Sequence, residues 1–587
     1  MYAVLIFGLS ACGGTTAPAD VNGETNSVTA TSARTVMGGR SLAAELPSLT
    51  AASVTTGDAT TAAVSAGVTP AAASQFLAQA TFGPTEGSIA EVASIGPEAW
   101  FDTQFRKPQS LHRIALDQLR TTLAPGLKVT PPAFYNSFWR QVVTGPDQLR
   151  QRVQFALSQI FVISFDSNVA TFPRGGAAYY DMLGQQAFGN FRQLLESVAR
   201  HPMMGIYLSY LRNQKESDTR TPDENFAREV MQLMTIGLYQ LNPDGMPKLV
   251  NGKPVETYTA ADVAGLAKVF TGWSWAGPDL STARFLGGVP DADRDWKPMQ
   301  NYPWFHSTSE KRFLGKTISG ATTGEADLKV ALDTLFQHPN VGPFIGKQLI
   351  QRLVTSNPSR AYVTRVSAVF ADNGAGVRGD MKALIKAILL DPEARAVGVS
   401  GREKVREPVL RLANWMRAFK VNSLSGNFNI DNTDDPLSAL GQTPLRSPSV
   451  FNFFRPGYVP PNTPIATANQ VAPEMQLVSE PEIIGYLNYM QIAIAYGMGG
   501  GRDMVPNYVS EMSLSNQPEK LADRINLLIL NGNMSAGLRA QIIAAINATP
   551  IPVAAGTTAE AQTTARYHRV YIAIYLAMIS PEYLIQK

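Results

Sequence analysis

The residues best suited to chemistry lie on one predicted helix, residues 223–236. Proline and acidic residues at its start and a glycine just after its end are typical of helix boundaries. On this helix Asn225 and Glu229 share one face, while Glu224 and Arg228 are four residues apart and form a pair on the neighbouring face. The helix therefore offers a carboxylate, an amide and a guanidinium to one region of its surroundings.

A histidine is the natural second group for acid–base chemistry, because imidazole titrates near neutral pH. The chain has only five. His306 lies in a loop and is the best candidate. His201 and His338 each precede a proline and are interpreted as residues that open helices. His112 and His568 lie in helical surroundings and are interpreted as structural.

Together these residues predict one cleft, lined by Asn225, Arg228, Glu229 and His306, with Glu224 at its rim. A carboxylate and a histidine could perform acid–base catalysis while the amide and guanidinium orient a polar substrate, as in hydrolysis or lytic cleavage of a polymer. The alternative is a polar network between helices that fixes their register. Glu224, Glu229 and His306 would also suit a metal, but their spacing identifies neither a metal nor a cofactor.

Other catalytic signatures are missing from the sequence. It contains no glycine-rich phosphate loop and no Gly-x-Ser-x-Gly elbow, which argues against nucleotide hydrolysis and an ordinary α/β-hydrolase. The aromatic segment 447–458 predicts either a groove wall that stacks on sugar or polymer, or a loop anchored by buried phenylalanines.

Helical periodicity dominates the body of the chain. Apolar residues recur at intervals of three and four near residues 191–198, 328–335 and 381–388, and 570–579 is apolar all round but too short to span a membrane. Alternating strand patterns are few. We therefore predict a mainly α fold: one large multi-helical domain with at most short β-hairpins. Its long irregular segments, rich in proline and glycine, are typical of functional loops.

The beginning of the chain predicts a lipoprotein. Residues 1–12 form a short apolar leader, and Leu9-Ser10-Ala11-Cys12 resembles the bacterial lipobox, in which the cysteine carries lipid. Gly13 follows rather than aspartate, which favours the outer membrane, periplasmic or surface-facing. Residues 13–69, rich in Ala, Thr and Ser, are predicted to be a disordered tether, and the body is predicted to span 70–587. The alternative is a buried apolar N-terminus with an incidental cysteine.

The charge and the cysteine count exclude several classes of protein. The net charge is +3 over 587 residues and no block of like charge appears, so we expect no nucleic-acid partner. The single cysteine excludes an intrachain disulfide, a cysteine zinc cluster and an iron–sulfur centre.

Several ordered motifs of the body resemble the DUF1800 family of uncharacterised exported bacterial proteins. The motifs that carry this resemblance are His201 to Asn213, Pro222 to Tyr239, Tyr258 to Asp262, Phe270 to Trp273, Phe82 to Thr85, Phe313 to Gly315 and Ser447 to Tyr458. The resemblance implies an exported, mostly helical protein without an established reaction. It also implies a possible partner from the DUF1501 family, which resembles alkaline phosphatases and sulfatases. Some members carry His-Asn-His where this chain has Ser158-Gln159-Ile160, so a histidine-based mechanism does not transfer here.

Three functions follow from these observations. The first is an exported enzyme that acts on an extracellular or envelope polymer. The second is a non-catalytic binding protein or scaffold that works with a DUF1501-like partner. The third is a structural protein of the envelope. The fold class alone does not choose among them, because function depends on the site.

Overall fold

The computed structural model describes residues 67–320, 322–396, 401 and 403–586. These residues form twenty-four α-helices, four short 3-10 helices and ten strands of two or three residues, so the predicted mainly α fold is confirmed. The predicted leader with Cys12, and the predicted tether up to residue 66, lie outside the described residues. The first helix begins at Pro70, where the Thr69 hydroxyl accepts the Ala72 backbone N–H at 3.2 Å.

The helices of the first half, in chain order, are α1 (Pro70–Ala80), α2 (Glu86–Arg106), α3 (His112–Thr122), α4 (Pro132–Thr144), α5 (Gln148–Ser158), α6 (Pro173–Gln186), α7 (Phe191–Arg200), α8 (Pro202–Tyr207), α9 (Asn225–Gln232), α10 (Ala260–Ala267), α11 (Thr282–Phe285) and α12 (Gly324–Gln337). Those of the second half are α13 (Val341–Leu353), α14 (Arg360–Ala371), α15 (Met381–Leu390), α16 (Pro392–Arg395), α17 (Pro408–Ala418), α18 (Pro464–Thr467), α19 (Glu480–Tyr496), α20 (Val509–Met512), α21 (Pro518–Ile529), α22 (Ala536–Asn547), α23 (Ala559–Ile579) and α24 (Pro581–Leu584). The 3-10 helices are Asn168–Thr171, Lys268–Phe270, Pro473–Leu477 and Gly500–Arg502.

The strands form five antiparallel pairs and build no larger sheet in the described part of the chain. They are β1 (Leu249–Val250) with β2 (Lys253–Pro254), β3 (Trp273–Ser274) with β4 (Gln300–Asn301), β5 (Lys311–Phe313) with β6 (Lys316–Ile318), β7 (Lys404–Val405) with β10 (Ile585–Gln586), and β8 (Asn422–Ser423) with β9 (Met504–Val505). The β7–β10 pair ties the end of the chain to its middle.

The apolar periodicity identified in the sequence is the basis of the core. In α7 the side chains of Phe191, Leu194, Leu195 and Val198 are completely buried, and the matching positions of α12 and α15 are buried too. The segment 570–579 lies in α23, which buries one face and leaves part of the other half-exposed. No helix in the described residues is both long enough and apolar enough to cross a membrane.

Four helices of the first half position a cleft of about 740 Å³, which is called the main cleft from here on. The central one is α6, which packs against α3, α5 and α7. Two glycines near the start of α6 allow close packing, because a side chain on Gly176 would overlap the ring of Phe165, 2.5 Å away. The irregular segment 276–303 is joined to the end of α7 by a hydrogen bond, which the Met299 backbone N–H donates to the Arg200 backbone oxygen.

Candidate functional site

The helix that carries the predicted catalytic residues is shorter than the sequence indicated. It was predicted over 223–236, but α9 spans only Asn225–Gln232. Its start is delayed because Asp223 is held outside the helix: its backbone N–H donates to Asn213, and its carboxylate accepts the N–H of Asn225. Its end comes early because later N–H groups, including that of Gly237, bond back to Met231 in wider turns.

The polar residues at the start of α9 lie at the surface. Arg228 donates to Glu224 at 3.1 Å, so the predicted four-residue pair is confirmed, and both side chains are more than two-fifths exposed. Asn225 donates to the Ser209 hydroxyl at 3.2 Å. An exposed pair of this kind contributes less than about 1 kcal/mol to stability. These residues form an open ledge on the protein surface.

Glu229 differs from its neighbours on α9 because it is buried. Only 9% of the residue is exposed, and its Oε2 has no hydrogen-bond partner among the described residues. Burial raises the pKa of this carboxyl, and the nearby Arg228 partly offsets the effect by lowering it. Glu229 is therefore a buried acid without a direct ion pair in the described part of the chain.

His306 belongs to a separate, sealed cluster. One ring nitrogen, Nε2, lies 2.9 Å from an Asp327 carboxylate oxygen, and the other, Nδ1, lies 2.8 Å from the backbone oxygen of Thr271. The same carboxylate lies 2.8 Å from the buried Lys311 ammonium group and accepts a hydrogen bond from Thr322. Burial alone would raise the pKa of Asp327, but these hydrogen bonds outweigh it and lower that pKa. Both ring nitrogens are engaged, so none is left for a substrate.

No hydrogen bond or ion pair among the described residues joins His306 to the α9 residues that the sequence placed in the same cleft. The contacts of His306 are to Thr271 and Asp327, whereas Glu224, Asn225 and Arg228 form an exposed ledge. Within the described residues, no group of three or more His, Cys, Asp or Glu side chains could hold a metal ion.

The aromatic segment 447–458 is anchored to the body. The Ser447 backbone oxygen accepts the Ser164 hydroxyl at 2.7 Å, and Phe454 is buried. Ser447 and Asn452 line a cavity of about 10 Å³, large enough for a single water molecule. This segment fits the anchored loop of the two alternatives.

The main cleft lies elsewhere and has a volume of about 740 Å³. Helix α6 contributes Asp181, α7 contributes Glu196 and Arg200, and the start of α3 contributes Arg113. Its rim includes Trp296, from one of the proline- and glycine-rich segments that the sequence marked as functional. This volume is typical of ligand sites, which range from about 300 to 1,000 Å³.

Asp181 is a buried carboxyl on the wall of this cleft. Its two oxygens accept the backbone N–H groups of His112 and Arg113 at 2.8 and 2.9 Å, at the start of α3. Burial raises the pKa of Asp181 to about 7, although both backbone hydrogen bonds lower it. The group therefore titrates near neutral pH, where a general acid or base is most effective.

His201 also lines the cleft and presents a defined donor. Its Nδ1 accepts the Met203 backbone N–H at 3.2 Å, so the ring proton of the neutral form lies on Nε2. Burial lowers the pKa of His201 to about 3, which keeps the ring neutral at physiological pH. Nε2 has no hydrogen-bond partner among the described residues. The sequence prediction that His201 opens a helix is confirmed, but it did not include this second role.

Two guanidinium groups give the cleft its positive character. Arg200 lies 3.8 Å from Glu196 and donates to the Met299 backbone oxygen at 3.2 Å, and its side chain is about one third exposed. Arg113 pairs with Asp117 and lies 4.5 Å from the centre of the Trp296 ring. Cations, an aromatic ring and hydrogen-bond donors thus meet in one solvent-open space.

Only weak signals for these residues are present in the sequence. Asp181 follows two tyrosines on a helix face that is otherwise buried, and an acid in such a position is unusual. Its backbone partners are 68 and 69 positions earlier in the chain, so the juxtaposition depends on tertiary packing.

Comparison with known proteins gives a family but no activity. The family model for a protein of unknown function, DUF1800, matches residues 75–585. Among curated proteins and solved structures, none matches the chain.

Proposed function

The chain belongs to the DUF1800 family, and we propose that its main cleft binds a short segment of an acidic extracellular or envelope polymer. The observation that carries this proposal is the cleft of about 740 Å³, which Arg113, Arg200 and His201 line together. A volume of this size suits a few polymer units rather than a single small ion.

The charges of the cleft favour an acidic ligand. Arg200 supplies a positive charge and Arg113 a second one, which is paired with Asp117. Arginine recognises carboxylates and phosphates through paired N–H groups. Glu196 supplies one negative charge, but it is also paired with Arg192 at 2.8 Å. Asp181 is uncharged below about pH 7 because burial raises its pKa. The wall is therefore positive or neutral over the acidic half of the pH range.

The remaining lining suits a polar polymer rather than a free ion. The Nε2–H of neutral His201 donates a hydrogen bond in a fixed direction. Gln185 and Gln193 add exposed amides that accept and donate. The Trp296 ring supplies an apolar surface on which a sugar or peptide unit can pack.

Titration calorimetry with trigalacturonic acid, an oligomer of an acidic sugar, tests this proposal. We expect saturable binding by the wild type and a Kd about tenfold higher for Arg200→Gln, because one charged contact is lost. Arg360→Gln is the matched control, since Arg360 is exposed on α14, outside the cleft. Absence of binding up to about 10 mM, or an equal effect of both variants, would contradict the proposal.

Cleavage of the bound polymer is a second candidate function, favoured by Asp181. In hydrolysis, water attacks the sugar carbon and the bond to the leaving oxygen breaks. A carboxyl with a pKa of about 7 can donate the proton that this oxygen takes up at neutral pH. Glu196 lines the same cleft and supplies a second carboxylate. Mass spectrometry of polygalacturonate after incubation tests this function: fragments with the wild type but not with Asp181→Asn support it, and intact polymer in both cases leaves binding as the function.

We also propose that the protein is held at the outer membrane by lipid on Cys12. The support is the apolar leader that ends at the only cysteine of the chain. Cys12→Ser should move the protein from the membrane to the soluble fraction, as followed by immunoblotting. Identical fractionation of wild type and variant would contradict the anchor without affecting the cleft.

A further inference from the structure

A second cavity, of about 310 Å³, lies between α3, α4 and the loop 424–430. We propose that it is a separate binding site for a neutral sugar unit. Its walls carry the amide side chains of Gln118, Asn136, Asn427 and Asn429. This site goes beyond the proposed function, because it is built from other residues and selects another ligand chemistry.

Three of the four amide residues, Gln118, Asn427 and Asn429, are exposed. Their side chains make no hydrogen bond to any described residue, and the Asn136 Oδ1 is buried without a partner in that part of the chain. Four amides together offer both donors and acceptors within one cavity.

This combination matches hydroxyl groups better than charged groups. Each amide presents an acceptor oxygen and a donor nitrogen side by side, and each sugar hydroxyl both donates and accepts. Leu119, Ala115 and Ala133 supply apolar wall against which the C–H face of a sugar ring can pack. A peptide backbone also offers donors and acceptors, so triglycine is the comparison probe that distinguishes a sugar site from a peptide site.

The one charged residue of the cavity is already engaged. Arg140 donates to the Gly426 backbone oxygen at 2.8 Å, and its guanidinium lies 5.6 Å from the centre of the Phe428 ring. Its charge is therefore directed at the loop, and it holds the loop against α4. No acidic residue lines the cavity in the described part of the chain.

The loop itself is held in a strained shape that places two asparagines at the cavity. Phe428 adopts a left-handed φ of 56°, a conformation that is unfavourable for a bulky side chain. The buried Asp503 carboxylate compensates by accepting the backbone N–H groups of Ser425 and Asn429 at 2.7 and 3.0 Å. Strain that the surrounding structure maintains is typical of binding sites.

The two cavities lie on different sides of α3. Arg113 lines the main cleft, whereas Ala115, Gln118 and Leu119 line the amide cavity. On an α-helix, positions two residues apart point in nearly opposite directions, so α3 forms a wall between the two. A variant that weakens binding at one of the two cavities should therefore leave binding at the other unchanged.

Titration with neutral triacetylchitotriose and maltotriose tests the amide cavity, with trigalacturonic acid and triglycine as comparison probes. The double variant Gln118→Ala, Asn427→Ala should raise the Kd for a neutral sugar about tenfold. Both side chains are exposed, so the melting temperature should stay unchanged. Asn488→Ala is the control, because Asn488 is an exposed amide on α19, outside the cavity.

Four outcomes would overturn the inference. The first is no binding of either neutral sugar up to about 10 mM. The second is binding of triglycine in preference to the sugars, which would make the cavity a peptide site. The third is an equal loss of trigalacturonic acid binding in the double variant, which would show that the two cavities are not separate. A neutral-sugar affinity that Asn488→Ala lowers as much as the double variant does would also place the ligand elsewhere.

Discussion

His201 and His306 are both more than nine-tenths buried, yet their surroundings have opposite consequences. In the His306 cluster, Asp327 and Thr271 occupy both ring nitrogens and the charges are paired internally. At the cleft, a backbone N–H occupies one nitrogen of His201 and leaves the other without a protein partner among the described residues. Residue type alone therefore does not tell whether a buried histidine keeps a hydrogen-bonding group free beside open volume, because its neighbours decide that.

The largest expected effect comes from a substitution that removes a charge from the sealed cluster around His306. Asp327→Asn removes the carboxylate that lies 2.8 Å from the Lys311 ammonium group, so a buried charge loses its pair. We expect the free energy of unfolding to fall by about 3–5 kcal/mol, measured by urea denaturation. Binding of trigalacturonic acid by the folded fraction should remain unchanged.

A matched control for this prediction lies on the same helix. Asp333 is two-fifths exposed and pairs with Arg192 and Lys329 at the surface. Asp333→Asn should therefore cost less than about 1 kcal/mol. Equal losses of unfolding free energy in Asp327→Asn and Asp333→Asn would contradict the expectation that a buried charge pair stabilises the fold more than an exposed one.

A smaller effect is expected on the pH dependence of binding at the cleft. The pKa of Asp181, about 7, lies above its usual value because of burial, so the carboxyl is uncharged below that pH and negative above it. An acidic ligand is then repelled as the pH rises through about 7. The Kd for trigalacturonic acid should increase up to about tenfold between about pH 6 and pH 8, since like charges repel over short distances.

Two variants show whether Asp181 is the titrating group. Asp181→Asn should remove the rise in Kd across this pH range, whereas Asp102→Asn, an exposed acid on α2, should preserve it. If the slope persists in Asp181→Asn, another group controls binding. Trigalacturonic acid stays ionised throughout this range, so the ligand's own titration does not contribute.

The smallest effect is expected at Glu229, the first catalytic candidate of the sequence. Burial raises its pKa, so the folded protein loses stability as the pH rises from the usual glutamate value through that raised pKa. Glu229→Gln lacks this penalty and should unfold at the same temperature as the wild type or slightly above it at neutral pH, by calorimetry. Glu91→Gln, at an exposed position on α2, should show no change. If Glu229→Gln instead lost ligand binding while its stability stayed unchanged, α9 would have to be part of the binding site.

The fold was largely predictable because apolar periodicity acts locally. The spacing of Leu328, Leu332 and Leu335 requires no knowledge of the rest of the chain, and these residues are buried as predicted. The bounds of α9 were less predictable, since they depend on Asn213, twelve positions before the helix, which holds Asp223 outside it.

The site was harder to predict because its partners are distant in sequence. His306 has the residue type of an acid–base catalyst, but Asp327, 21 positions later, occupies its ring. Asp181 acquires its unusual pKa from burial between helices and from backbone groups at the start of α3. Neither arrangement produces a pattern of residue spacing that can be recognised in one sequence alone.

The most direct test of the account is a crystal structure of the protein soaked with trigalacturonic acid. We expect ligand density in the cleft between α3, α6 and α7. A ligand carboxylate should lie against Arg200, and His201 Nε2–H should donate a hydrogen bond to the ligand. Density for the acidic ligand at the α9 ledge around Arg228, or at His306, or an empty cleft at saturating ligand, would contradict it.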